Sequence, residues 1–252
     1  LGKRLVVISD LHTGSKFGPA PEDWKFNDGT IAPIREAQKF LYGKYLECVE
    51  EFGKPDILVV NGDVTDGIQH LSQGRETWTT EGLEQVRLGE HLVNLWNCKE
   101  IYFTKGSNYH VDFQGLPVEQ VVAQRTKAKL FGQYIDLTVE GSRCNFSHEI
   151  PVSMTSWQYR TTPLAVQLVL DRLQNADASS NLIVRSHAHY FAFVGFSDQL
   201  GIVTPGFQGQ TPYVAKKFPT MKPKCGVVSI EFPTLDFDYL TFDGPTLKPE
   251  VP

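Results

Sequence analysis

The sequence predicts an α/β protein in which two mixed β-sheets pack face to face with helices on the outside. Three observations carry this. Short apolar runs bounded by polar, Gly or Pro residues recur along the chain, as strands do. Segments with apolar residues at three- and four-residue steps separate them over the first two-thirds, as amphipathic helices do. The last third is mostly strand, an order that suits stacked sheets with helices outside.

In chain order, a strand is expected at 4–9 (RLVVIS) and a helix at 31–52. A strand follows at 56–60, then a helix at 81–96 and a strand at 100–104. The pattern predicts a helix over 117–131, strands at 134–139 and 143–147, and a helix over 162–176. Further strands fall at 181–185, 190–196, 200–205, 225–232 and 235–242. No repeat, low-complexity tract or linker interrupts the chain, so residues 1–252 read as a single domain. Three long irregular segments, 13–30, 148–161 and 206–224, are candidates for functional loops.

Composition narrows the function classes. With 252 residues, 41% hydrophobic and 21% charged, the chain can bury a substantial core. A net charge of −5 argues against a broad basic surface for wrapping nucleic acid. No apolar run reaches the length of a membrane span, and no signal-peptide pattern opens the chain. The four cysteines are scattered and lack a CxxC pair, so they read as reduced thiols. The expectation is a cytoplasmic protein without a membrane partner.

The chemistry sits just after the strands. The first strand leads into Asp10 and His12, the second into Gly62 and Asp63, the third into Asn108 and His110. The strand at 143–147 runs into His148, and the strand at 181–185 runs into His187 and His189. Ligands of open α/β sheets bind outside those strand ends. Each residue alone is explained as a cap, a turn former or a structural histidine; five strand ends together point to one metal site. Carboxylate, imidazole and amide without thiolate suit Mn²⁺, Fe, Zn²⁺ or Mg²⁺. The donors exceed the needs of one tetrahedral ion and suit two divalent ions, with Asp63 as the bridge.

The order Asp10-x-His12, Gly62-Asp63, Asn108/His110, His148, His187-x-His189 resembles the calcineurin-like metallophosphoesterase family, over residues 4–190. The resemblance implies a four-layer α/β/β/α sandwich and two divalent ions, with Mn the first choice and Fe, Zn or Mg the alternatives. One ion would take Asp10, His12, Asp63 and His189; the other would take Asp63, Asn108, His148 and His187. Asp66 matches the second Asp of the family's GDxxD motif and would hold a ligand histidine or the backbone in place. The DxHxG opening is similar to the repair-exonuclease branch.

The segment GSNYH departs from the family's GNH. Three readings stay open: Asn108 as ligand with His110 as acid, Ser107 in the amide's place, or a degenerate site that binds without turnover. In the first, Asn108 and His110 share a face of extended chain and Tyr109 turns into packing.

The implied function is a metal-dependent phosphoesterase in which a metal-bound hydroxide attacks phosphorus and His110 protonates the leaving oxygen. A phosphodiester, nucleotide or nucleic acid is the favoured substrate. Trp157, Tyr159 and Arg160 offer rings and a guanidinium for a base and a phosphate. The alternatives are a phosphomonoesterase, acting on a protein or a small molecule, and a non-catalytic scaffold with a degraded site. Lys216, Lys217, Lys222 and Lys224 form a local basic loop that suits a polyanion.

Overall fold

A computed structural model of the chain describes residues 2–68, 72–111, 117–151 and 159–247. Eleven strands form two mixed sheets. The first contains β1 (Arg4–Ile8), β2 (Ile57–Asn61), β3 (Glu100–Thr104), β4 (Leu130–Gly132), β10 (Lys224–Glu231) and β11 (Asp236–Asp243), in the order β11-β10-β1-β2-β3-β4. The second contains β5 (Tyr134–Val139), β6 (Ser142–Ser147), β7 (Leu182–Arg185), β8 (Ala192–Phe196) and β9 (Gln199–Val203), in the order β5-β6-β7-β9-β8.

Alternation along the strands builds the layers. Leu5, Val7, Ile57, Val59, Val228 and Ile230 meet Ile135, Phe146, Leu182, Val184 and Ile202 between the sheets. From the opposite face of the first sheet, Val6, Ile8, Leu58, Val60 and Phe103 pack on the helices α1 (Glu36–Phe52), α2 (Gly82–Asn94) and α3 (Glu119–Arg125). Beyond the second sheet, Ile183 and Val203 pack on Leu164 and Leu168 of α4 (Thr162–Asn175). The architecture is the expected α/β/β/α sandwich. No described helix is long and apolar enough to cross a membrane.

Three departures from the sequence reading have a clear physical cause. Helix α1 begins at Glu36, because Pro33 restricts the residue before it and Ile31 bridges to Lys25 instead. Helix α3 ends at Arg125, and Lys127 turns the chain at φ 57°, freeing Leu130–Gly132 to pair with β3. The segment 206–224 contains a short helix, α5 (Pro212–Lys217), begun by Thr211, whose hydroxyl accepts the Val214 N–H at 3.3 Å.

The two sheets are laced by polar groups at the strand ends. Ser9 Oγ lies 2.9 Å from Thr204 Oγ1, which lies 2.7 Å from Ser186 Oγ. Asn61 Nδ2 donates to Ser186 Oγ at 2.6 Å and to the Ser147 carbonyl at 3.0 Å. Its Oδ1 accepts from Thr104 at 2.9 Å. All are buried, and each partner satisfies another, so the floor above which the next residues stand is fixed.

The inter-sheet core carries a stability prediction. Phe146 is fully buried between the sheets, so Phe146→Ala should cost ~3–5 kcal/mol through lost burial and the cavity left behind. Leu173→Gln, at a position 74% exposed, should change stability by no more than ~0.5 kcal/mol. Urea unfolding of both variants checks this; equal losses would mean that the core does not lie where it is drawn here.

Candidate metal centre

Asp10 and His12 follow β1, Asp63 follows β2, Ser107 and His110 follow β3, His148 follows β6, and His187 and His189 follow β7. They meet at one end of the sandwich. Asp10, His12, Asp63, His187 and His189 all have positive φ, between 45° and 67°. Non-glycine residues rarely adopt this region, and its concentration at one site marks backbone held for function. These bends, not an extended chain, aim His187 and His189 at different carboxylates. His189 Nε2 lies 3.3 Å from Asp10 Oδ1, and His187 Nδ1 lies 3.8 Å from Asp63 Oδ2.

Close approach explains the neighbouring glycines. A Cβ on Gly62 would fall 2.5 Å from His148 Nδ1, and one on Gly106 would fall 2.1 Å from Asp63 Oδ1.

His12, Asp66 and His110 form one triad of donor atoms within 4.8 Å of one another, and two more triads, Asp10, His12 and His189, and Asp63, His148 and His187, complete the cluster. His148 Nε2 stands between the latter two, 2.9 Å from Asp63 Oδ2 and 3.9 Å from Asp10 Oδ1. Its Nδ1 lies 2.8 Å from the Asn61 carbonyl, which can only accept, so Nε2 is the nitrogen presented to the cleft. His12 is arranged alike: Nδ1 lies 3.2 Å from Asp66 Oδ1, and Nε2 is buried without a hydrogen-bond partner. Asp10 Oδ1 is likewise buried and makes no hydrogen bond. Imidazoles fixed through one nitrogen, with the other aimed at a carboxylate, are the arrangement that metal-ligating histidines use. The residues therefore fit divalent cation binding.

Electrostatics follow from burial and proximity. Burial alone would raise the carboxyls of Asp10 and Asp63. Histidines overcome it, His189 and His148 at Asp10 and His148 and His110 at Asp63, and hold both well below the usual carboxylate range. Burial would lower His148, but Asp63 and Asp10 push it up to about 10. His110 is also pulled down by burial, and Asp63 and Asp66 push it up to about 9. His12 is lowered, by burial and by His110.

The segment GSNYH settles into a tight turn. Ser107, not Asn108, reaches the cluster: its N–H donates to Asp63 Oδ1 at 2.8 Å and its Oγ to Asp63 Oδ2 at 3.2 Å. Asn108 is exposed and accepts from Lys105 Nζ at 3.0 Å. Tyr109 is 68% exposed and does not pack inward. The His110 N–H bonds the Ser107 carbonyl at 3.4 Å, so the chain is turned here and residues 108 and 110 do not share a face. His110 points in, with Nδ1 3.0 Å from the Asp66 carbonyl and Nε2 3.7 Å from Asp63 Oδ2.

Asp66 is buried and lies 3.2 Å from His12 Nδ1 and 3.4 Å from His110 Nδ1, so one carboxylate orients two rings. Trp157 and His70 lie outside the described residues. Tyr159 is 51% exposed, and the Arg160 guanidinium stacks over the Tyr190 ring at 4.9 Å. Lys222 and Lys224 both pair with Asp243.

Ser107 is one of the readings that GSNYH leaves open, and Asn61 stands at the end of the second apolar run beside a recognised motif position. Glu119 and Gln208 carry no sequence signal and come from remote segments. Gln208 Nε2 donates to Asp66 Oδ1 at 3.4 Å. The Glu119 carboxyl is raised to about 7 by burial and by Asp63.

No family model matches the chain, and no curated protein sequence matches it. Solved structures resemble it distantly. A novel archaeal phosphodiesterase is 11% identical, with a TM-score of 0.49 over 95% of this chain and 99% of that one. The phosphoesterase Yfce from E. coli is 12% identical, with a TM-score of 0.43 over 96% and 100%. Zn-complexed Vps29 from Entamoeba histolytica is 11% identical, with a TM-score of 0.44 over 96% and 99%. At such distances the function has to be argued from this chain's own side chains.

Cation binding should stabilise the fold, because a ligand of the folded state adds about 2.7 kcal/mol at a hundredfold excess over its Kd. Chelator-treated protein should melt at a lower temperature, and Mn²⁺ should restore the melt. Asp63→Asn should abolish the restoration. An unchanged melt after verified metal removal would count against the site.

Proposed function

We propose that the protein is a phosphoester hydrolase that uses two divalent cations. The observation that carries this reading is the pair of carboxylate–histidine triads meeting across His148 Nε2. Asp10, His12 and His189 would hold one cation. Asp63, His148 and His187 would hold the other, with the Ser107 hydroxyl in the place expected for Asn108. Asp63 is the carboxylate expected to serve both cations. Bound there, the cations would offset phosphoryl charge and acidify water.

The chain's own residues supply the rest. His110 is fixed at Nδ1 by the Asp66 carbonyl and is held as imidazolium by two carboxylates. Its Nε2–H faces the cleft and can donate to a leaving oxygen. Asp66 keeps His12 and His110 in register, and the Asn61 carbonyl does the same for His148. A phosphodiester is the finer reading. Tyr109, exposed on the turn that carries His110, offers a ring to the leaving group.

The test is a screen of aryl phosphate, cyclic nucleotide and DNA substrates with Mn²⁺. Turnover should depend on cation; failure with every cation and every substrate class would leave a binding module. His110→Ala should retain both cations and lose roughly 10²–10⁴ in rate, less with nitrophenolate as leaving group. Ser107→Ala should raise the Mn²⁺ concentration needed for half-maximal rate, whereas Asn108→Ala should be nearly silent. The reverse ranking of the last two would overturn the assignment of Ser107.

A further inference from the structure

We infer that Glu119, at the start of α3, is a positioning residue that clamps the β2 and β3 loops so that the Asp63 carboxylate faces the cations, an inference that rests on the function proposed above. Ladder pairing between β2 and β3 ends at Asn61 and Thr104. Beyond that pair the two chains continue side by side with no sheet hydrogen bonds to hold them. Glu119 fills the gap. Its Oε1 accepts the Gly106 N–H at 2.5 Å and its Oε2 accepts the Val64 N–H at 3.3 Å. The next N–H along, that of Ser107, goes to Asp63 Oδ1 at 2.8 Å. Two carboxylates thus divide three neighbouring backbone donors between them.

This division matters because Asp63 has no slack. The chain at Gly106 passes so close that even a Cβ would collide with Asp63 Oδ1. Glu119 is 3% exposed, and among the described residues no lysine or arginine pairs with it. A buried carboxylate is retained without a counter-charge only where backbone donors satisfy it. Removing it would strand the Val64 and Gly106 donors, one beside Asp63 and the other beside Ser107. In Glu119→Gln one oxygen still accepts, but the amide nitrogen faces a donor, so one loop must shift. Glu119→Asp keeps the carboxyl group but is a methylene too short to reach both loops.

The test titrates Mn²⁺ into chelator-stripped wild type, Glu119→Gln and Glu119→Asp by calorimetry. The temperature is one at which circular dichroism finds each protein folded. The expected result is Mn²⁺ binding about 10–100-fold weaker in Glu119→Gln, the usual effect of losing an outer partner of a ligand, with Glu119→Asp between it and wild type. A purely structural strut would lower the melting temperature and leave the affinity of the folded molecules unchanged, and that result would overturn the inference. If Glu119→Gln does not fold, Glu119→Asp decides alone: wild-type affinity there would also overturn it. Wild type that binds no Mn²⁺ would sink the proposed function as well, whereas tight binding by wild type and variants alike would sink only the role of Glu119.

Discussion

Asp10, Asp63 and Asp66 are buried side by side at the end of the sandwich, and their charged partners among the described residues are histidines rather than lysine or arginine. An isolated buried carboxylate is strongly disfavoured. These three are tolerated because imidazoles and backbone N–H groups converge on them, the His187 N–H on Asp10 at 3.3 Å and the Ser107 N–H on Asp63 among them. The rest of the structure follows from that constraint. Five strands have to end at one place, and the chain has to bend sharply as it leaves several of them.

The strain and the polar floor are two parts of the same solution. Left-handed backbone at five ligand-type positions would relax if the strand ends could slide. The chain of hydroxyls and amide through Ser9, Thr204, Ser186, Asn61 and Thr104 prevents this by joining ends from both sheets. Asn61 has a double part, since its side chain ties the sheets while its carbonyl fixes the His148 ring. Loss of that amide would disturb the floor and the ligand together, so its contributions to stability and to cation binding are not separable.

Much of this was legible in the residues. Buried strands announce themselves as apolar runs, and polar residues placed just past them mark the cleft, which is why Asp10, His12, Asp63, His148, His187 and His189 could be singled out. What escaped was decided by geometry that spacing does not encode. The GSNYH turn is set by the Ser107 carbonyl accepting from His110, which sends Asn108 outward to Lys105. Leu130–Gly132 carries a helical pattern but is captured by β3, because the turn at Lys127 brings it alongside. Glu119 reads as an ordinary first-turn acid of a helix. Its burial against the β2 and β3 loops is a tertiary fact with no local signature.

Exposure across the cluster gives the cleft a direction. His12 and His148 are 1% exposed, whereas His110, His189 and His187 are 14%, 18% and 33% exposed. The carboxylates form the bottom and these three rings form the rim. If a phosphoester is the substrate, as proposed, a phosphoryl group would enter past His187 and His189, and the cations held there would offset its charge against the aspartates. His110 stands on the same rim, where a leaving group would depart to solvent without crossing the buried carboxylates. Burial and His110 lower His12 on the floor, whereas Asp63 and Asp66 raise His110 on the rim. That difference, together with contact to the solvent side, is what would favour His110 over His12 as the proton donor of the proposed reaction.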